Sequence, residues 1–308
     1  MVAFPTETVY GLGADASSAA AIAKIYALKG RPSDHPVIVH LASSTQLGDW
    51  ARAIPAAATL LAARFWPGPL TLVLQRKATV LDAVTGGQDT VAVRVPSHPV
   101  AQALLRAFGG GVAAPSANRF GRVSATTAEH VRAEFGAAVD VVLDGGACDV
   151  GIESTIVDVS GAHPTLLRPG GVSLAALEST LGEPLALASR AAPRAPGTLA
   201  AHYAPTTPLM LVDADVAPEL VRSLVRQEKK IAVLSFSALQ PVLPGLSWIA
   251  ASPDAGGYAH DLYANLRKLD ATHADVIVIE RPPPHPEWRA VLDRLTRAAA
   301  GSAAFEQP

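Results

Sequence analysis

The sequence predicts an α/β protein of two domains, and three features predict it. Short β-rich runs bounded by Gly, Pro, Asp or Ser recur up to about residue 170, with helical stretches between them. A Pro-rich, aperiodic segment follows at 186–207. Beyond it, four apolar runs alternate regularly with helical ones. The first part mixes strands and helices without strict alternation, so an α+β-like mixed, twisted sheet is expected over 1–185. The regular alternation predicts a smaller Rossmann-like parallel α/β domain over 208–308, with 186–207 as the linker.

Composition supports that reading. At 308 residues the chain exceeds one typical domain, and 49% apolar with 17% charged residues is ample for a core. A formal charge of −2 supplies no global field toward nucleic acid or an anionic membrane. The single cysteine, Cys148, excludes an intramolecular disulfide and a cysteine-based zinc site, and it suits a reducing compartment. No apolar run approaches the roughly eighteen residues that span a bilayer. The opening MVAFPTETVY lacks the basic segment and apolar core of a secretory signal. A cytoplasmic protein without a membrane partner is expected.

In order, the strands of the first domain are expected at VAF (2–4), 36–41, 70–76, 90–96, 111–116, 140–146 and 154–160. Helices are expected at 17–28, 55–64, 99–108 and 127–135, the last introduced by Thr126 and Glu129 at capping-box spacing. In the second domain LMLVD, KKIAVLSF, LSWIAAS and DVIVIE read as strands. VAPELVRSLVRQ, YAHDLYANLRKLD and EWRAVLDRLTRAA read as the helices between and after them.

Several stretches carry chemistry-bearing residues. FPTETVYGLGADA (4–16) contains Gly11-Leu12-Gly13 and satisfies a loose dinucleotide-loop pattern. Pro5 spoils the preceding strand, and no acidic residue closes a second parallel strand about twenty residues on. A turn explains the glycines as well, but not the Thr6-Glu7-Thr8 cluster. In LKGRPSDHPVIVH, Lys29 and Arg31 sit on a stiff loop where two cations could neutralise a polyphosphate; a solvated loop is the equal alternative. His40 ends that apolar run, where a satisfied structural histidine is the commoner case. In TVAVRVP, Val91, Val93 and Val95 share one side and Thr90, Ala92 and Arg94 the other. A buried Arg94 needs an anion, either an internal carboxylate or that of a ligand. AAPSANRFGRVSAT offers Ser116, Asn118 and Ser124; GIESTIVDV offers Ser154 and Thr155; LLRPGG places Arg168 on a turn. No Walker, HExxH, CxxC or GxSxG motif is present.

These fragments, in this order, resemble the YrdC-type domain: FPTETVYGLGADA, KGRPSDHPVIVH, FWPGPLTLVL, DTVAVRVPSHP, AAPSANRFGRVSAT, GIESTIVDV and LLRPGG. With the later APGTLAAHYAP and a small α/β domain, the chain resembles the two-domain L-threonylcarbamoyladenylate synthases over nearly its whole length. The resemblance implies that L-threonine, bicarbonate or CO2, and ATP with Mg²⁺ give threonylcarbamoyl-AMP and pyrophosphate. The product would feed a downstream threonylcarbamoyl-transferase machinery that modifies tRNA. By the same resemblance Thr8, His40, Arg94, the Ala114 backbone and Ser154 would hold threonine. Lys29, Arg31, His35, Thr90, Ser116, Asn118, Ser124 and Arg168 would surround ATP, with Lys29 and Arg31 central to catalysis. His202 and Tyr203 would fold back over the nucleotide from a linker that closes and opens. The Mg²⁺ ligands stay unassigned.

Two departures stand out. Relatives carry a helix and strand start before the position of MVAFPTETVY, and His35 stands where an asparagine is frequent. Two rival readings accompany the resemblance. An RNA-binding YrdC-type module is disfavoured by the acidic balance and sparse aromatics, which leave RNA contact itself open. A carbamoyl-adenylate-forming enzyme would carry a zinc-finger-like segment that one cysteine cannot build.

Overall fold

The structure is a computed structural model that describes residues 1–189, 192–236 and 245–303. Residues 190 and 191 of the expected linker lie outside this description. The chain forms two compact units, Met1–Phe120 with Ser124–Thr198, and Gly121–Val123 with the chain from Leu199 onward. The 186–207 stretch is thus divided between the units.

The first unit begins β1 (Val2–Phe4), β2 (Gly11–Asp15), α1 (Ala19–Lys29), β3 (Ile38–His40), α2 (Leu47–Trp50), α3 (Ala56–Phe65) and β4 (Leu70–Gln75). It continues α4 (Asp82–Thr85), β5 (Thr90–Arg94), α5 (Pro99–Phe108), β6 (Val112–Ala113), α6 (Ala128–Phe135) and β7 (Val141–Val142). Last come β8 (Thr155–Asp158), β9 (Thr165–Arg168), α7 (Leu174–Leu181) and β10 (Ala186–Leu187). One mixed sheet joins the strands in the order β10-β9-β8-β4-β5-β3-β6-β2-β1-β7. The expected mixed α/β sheet is what forms.

Period-two alternation divides this sheet into two unlike faces. Val91, Val93 and Val95 enter a large core with Val39, Leu72 and Leu74, lined by α3 and α7 residues such as Leu61 and Leu177. Ala92 goes to the opposite face, where it meets Ile38, Val73, Ile156, Leu167 and Ala195. Each Val or Leu so buried contributes about 1.5–3 kcal/mol, so the core face anchors the sheet. The other face carries smaller apolar clusters, with buried polar residues such as Arg94 and His40 between them. Parallel pairing of β3 with β5 sets His40 directly opposite Arg94 on that face.

Four local expectations need correction. Gly11–Asp15 is a strand, not a turn: it pairs antiparallel with β1 and β6. Gly13 is required by close packing, since a Cβ there would lie 2.8 Å from the Phe4 ring and 2.9 Å from Val112. The chain reverses earlier, at 5–10, where the Thr6 hydroxyl accepts from Thr8 and Val9 N–H at 3.2 Å. The α6 cap is Thr127, whose hydroxyl accepts from His130 N–H at 3.2 Å, whereas Thr126 lies beside the His130 ring. The runs 111–116 and 140–146 shrink to two-residue strands because Pro115 and the Gly145-Gly146 pair stop the ladder. Conversely LLR of the expected Arg168 turn ends strand β9, and α7, capped by Ser173, was not anticipated.

The second unit has β11 (Leu209–Val212), α8 (Ala217–Arg226), β12 (Ile231–Ser235), β13 (Leu246–Ala250), α9 (Ala255–Asp270), β14 (Val276–Glu280) and α10 (Arg289–Ala303). All its strand pairs are parallel, in the order β11-β14-β12-β13. The smaller parallel domain forms as the alternation predicts. Among the described residues no helix is long and apolar enough to cross a membrane.

Candidate active site

Arg94 is held on three sides on the sheet face opposite the large core. It is 3% exposed at the end of β5. Its Nη2 donates to Glu7 Oε1 at 2.6 Å, Nη1 to Thr8 Oγ1 at 2.8 Å and Nε to the Gly68 carbonyl at 3.2 Å. The anion that the strand pattern demanded is therefore internal, and it is Glu7. A guanidinium has five N–H donors, so these three bonds leave donors for a ligand as well. Thr8 is fully buried and also shares a 2.8 Å hydroxyl contact with Thr6.

His40 faces this pair across the register and is buried, with its ring edge-on to Phe4. Its Nδ1 has no hydrogen-bond partner among the described residues. Burial, reinforced by the Arg94 charge, lowers its pKa to about 3, so the imidazole is neutral at physiological pH. Native His40 thus resists a proton that the unfolded chain accepts below pH 6.5. Stability is lost as pH falls from about 6.5 toward 3 and is unaffected by this group above that window. Between pH 7 and pH 4 the wild type is expected to lose about 3 kcal/mol more than a His40→Gln variant. Urea titrations at the two pH values measure the difference; equal losses would refute it.

Ser154 and Arg168 form a second cluster. Ser154 Oγ lies 2.8 Å from Thr71 Oγ1. Arg168 donates from Nε and Nη2 to the Ser154 carbonyl and from Nη1 to the Pro196 carbonyl at 2.8 Å. Gly170 permits the turn after it, because a Cβ there would meet the Ser154 carbonyl carbon at 2.4 Å. Residues 192–198 cross this face, with Ala195 in its apolar cluster and Arg194 donating to the Gly86 carbonyl at 2.8 Å. Ala114 N–H donates to the Ile38 carbonyl at 2.9 Å and its side chain packs beside Phe4.

The expected polyphosphate residues gather where α1 ends. Ser18 caps the helix and left-handed Gly30 terminates it, which sets Lys29 at its last position. Lys29 is 3% exposed, and its Nζ donates to the carbonyls of Ser116, at 2.6 Å, and Asn118. Burial, then the Arg31 charge, holds its pKa well below the ordinary lysine value. Arg31 lies 5.7 Å over the Phe120 ring and donates to the Pro36 carbonyl at 2.8 Å. His35 meets the same ring edge-on at 5.4 Å, and burial followed by Arg31 lowers its pKa.

Lys29, Arg31, His35, Ser116 and Asn118 therefore form one neighbourhood, joined by Phe120. Ser124 donates to the buried Glu153 Oε1 at 2.6 Å. Thr90 starts β5 opposite Gln75, about 13 Å along the strand from Arg94, so the two do not share a contact. His202 and Tyr203 belong to the second unit, where Tyr203 packs on Tyr263 and lies beneath the Arg294 guanidinium at 5.2 Å. Glu7, Thr71, Phe120 and Glu153 join the site without having been expected there. Only Glu7 had a sequence signal, as the acid inside a Thr-Glu-Thr run and the partner Arg94 required. Among the described residues no group of three or more His, Cys, Asp or Glu side chains gathers to hold a metal ion.

Residues 1–170 match the family model of the Sua5, YciO and YrdC proteins, described as "Telomere recombination". Residues 172–300 match that of the threonylcarbamoyl-AMP synthase C-terminal domain. The threonylcarbamoyl-AMP synthase of Pyrococcus abyssi is 39% identical, over 97% of this chain and 90% of its own. That of Bacillus subtilis is 39% identical over 98% and 90%. The crystal structure of P. abyssi Sua5 complexed with L-threonine superposes with a TM-score of 0.90 at 38% identity, covering 98% of this chain and 91% of that one.

Proposed function

The chain belongs to the Sua5–YciO–YrdC family, and from that membership we infer an enzyme that makes threonylcarbamoyl-AMP. It is a nucleotidyltransferase that joins L-threonine, a one-carbon unit from bicarbonate or CO2, and the adenylyl group of ATP, releasing pyrophosphate. Relatives of that name match along nearly the whole chain and support the reading. The observation that carries it to residues is the buried Arg94–Thr8 pair, set opposite neutral His40 on the same sheet face.

The threonine carboxylate takes the remaining Arg94 donors, with Thr8, His40, Ser154 and the Ala114 backbone around the rest of the amino acid. The α-amine bonds to CO2 and loses a proton, giving an N-carboxylate. A carboxylate oxygen then attacks the α-phosphorus, and the bond to the pyrophosphate oxygen breaks. No protein nucleophile is needed; the protein supplies alignment and positive charge. Lys29 and Arg31 supply that charge beside Ser116 and Asn118, with His35, Thr90, Ser124 and Arg168 around the nucleotide. Lys29 also fixes the 116–118 backbone, so its ammonium has a structural duty besides. Mg²⁺ enters as part of the nucleotide substrate, carried by phosphates and water.

The product passes to the machinery that modifies tRNA, in the cytoplasm where ATP, threonine and tRNA meet. Purified protein with ATP and bicarbonate is expected to release pyrophosphate with L-threonine and far more slowly with the other amino acids. Equal release with several amino acids, or none with threonine, would overturn this function.

A further inference from the structure

Glu7 sits in the first unit without a part in the chemistry just described, yet it is only 4% exposed. An isolated carboxylate would not remain charged there, and its partners say what it does. Oε1 accepts from Arg94 Nη2 at 2.6 Å and Oε2 accepts from Ser97 N–H at 3.0 Å. Its own carbonyl accepts from Val150 N–H at 2.7 Å, which ties the residue down on a third side. The carboxylate is thus pinned to the end of β5 and its backbone to the 148–150 segment. Both oxygens are engaged, so Glu7 is poorly placed to take a proton from substrate.

The consequence falls on Arg94. Three acceptors on different parts of the fold hold its guanidinium: Glu7 at Nη2, Gly68 at Nε and Thr8 at Nη1. A planar fork fixed along its Nε–Nη2 edge cannot swing, so Nη1 stays at Thr8. Glu7 also cancels the buried charge before any ligand arrives, so Arg94 needs no other anion to remain in place.

We propose that Glu7 is a positioning residue for threonine recognition, acting solely through Arg94 by fixing the plane of its guanidinium. This rests on the reading in which Arg94 takes the substrate carboxylate. A residue that merely holds the fold together would lower stability and weaken both substrates alike. A positioning residue weakens threonine alone.

The test is a double-mutant cycle read by steady-state kinetics. Glu7→Gln is expected to raise KM for threonine about tenfold or more while KM for ATP stays within about twofold. In an Arg94→Gln background the same Glu7→Gln change is expected to alter threonine KM by less than about twofold. Glu7→Asp keeps the charge but withdraws the carboxylate by one methylene. It is expected to show the same threonine-selective rise, and it serves if Glu7→Gln does not fold. An unchanged threonine KM in the Glu7 variants, a parallel rise for ATP, or a full Glu7 effect persisting without Arg94 would each overturn the proposal. If Arg94→Gln itself left threonine KM unchanged, the reading of Arg94 would fall first and the proposal with it.

Discussion

Replacing Arg31 with alanine is expected to lower threonine-dependent pyrophosphate release about a hundred- to a thousandfold. The transition state crowds negative charge between the attacking carbamate oxygen and the departing pyrophosphate, and fixed donors stabilise it more than they stabilise the substrates. Arg31 is 8% exposed and seated over Phe120, so its charge acts in a site with little water to screen it. The fold should survive. The bond to the Pro36 carbonyl and the ring contact that the replacement gives up are worth about 1–2 kcal/mol. Lys29→Ala should be equally inactive but less stable, because it strips the Ser116 and Asn118 carbonyls of their donor. Arg31→Lys keeps the charge without the planar fork and should fall between wild type and alanine. Kinetics and thermal melts on the three variants measure this, and undiminished turnover of Arg31→Ala would refute the assignment.

The contrast between these two cations shows what the sequence could and could not reveal. That Arg31 stands on a stiff loop was legible from Gly30 and Pro32, whereas Lys29, expected on that loop, closes helix α1 because Gly30 and not Leu28 ends it. That Lys29 spends its ammonium on two carbonyls almost ninety positions away was not, since nothing local encodes that closure. The faces of β5 were legible because alternation is a property of the strand itself: Val91 and Val93 in the core, Ala92 and Arg94 opposite. The sequence also required an anion for Arg94 but could not choose between a ligand and Glu7, which lies 87 positions away.

Gly11 and Gly13 misled for a different reason. Glycine marks both turns and tight packing, and only the three-dimensional neighbours of Gly13, Phe4 and Val112, separate the two. The linker was recognised by its prolines, but composition does not say which unit each half joins. Its first half reaches the apolar cluster of Ile38 and Ala92 through Ala195, and the half with His202 and Tyr203 belongs to the second unit. The position of Arg168 after LL was visible, while its tie to Pro196 depended on that same undecided path.

The largest effect on stability is expected at Arg94. With side chains only 4% and 6% exposed, Arg94 and Glu7 form a buried ion pair 2.6 Å apart. Arg94→Ala leaves the Glu7 carboxylate buried without its counter-charge, and it leaves the Gly68 carbonyl and Thr8 hydroxyl each short of a donor. Breaking such a pair from one side costs about 3–5 kcal/mol, a large share of the total stability of a typical domain. Removing both charges differs in kind, since two apolar residues of similar volume no longer demand solvation. The double change Arg94→Met with Glu7→Leu should therefore recover most of the lost stability. It should recover no threonine-dependent turnover, because the donors for the carboxylate are gone. Urea denaturation of the single and double variants, set beside pyrophosphate release, separates the two roles of this pair. A double variant that stayed as unstable as Arg94→Ala would show that the ion pair does not set the stability here. Restored turnover would show that the amino acid is held elsewhere.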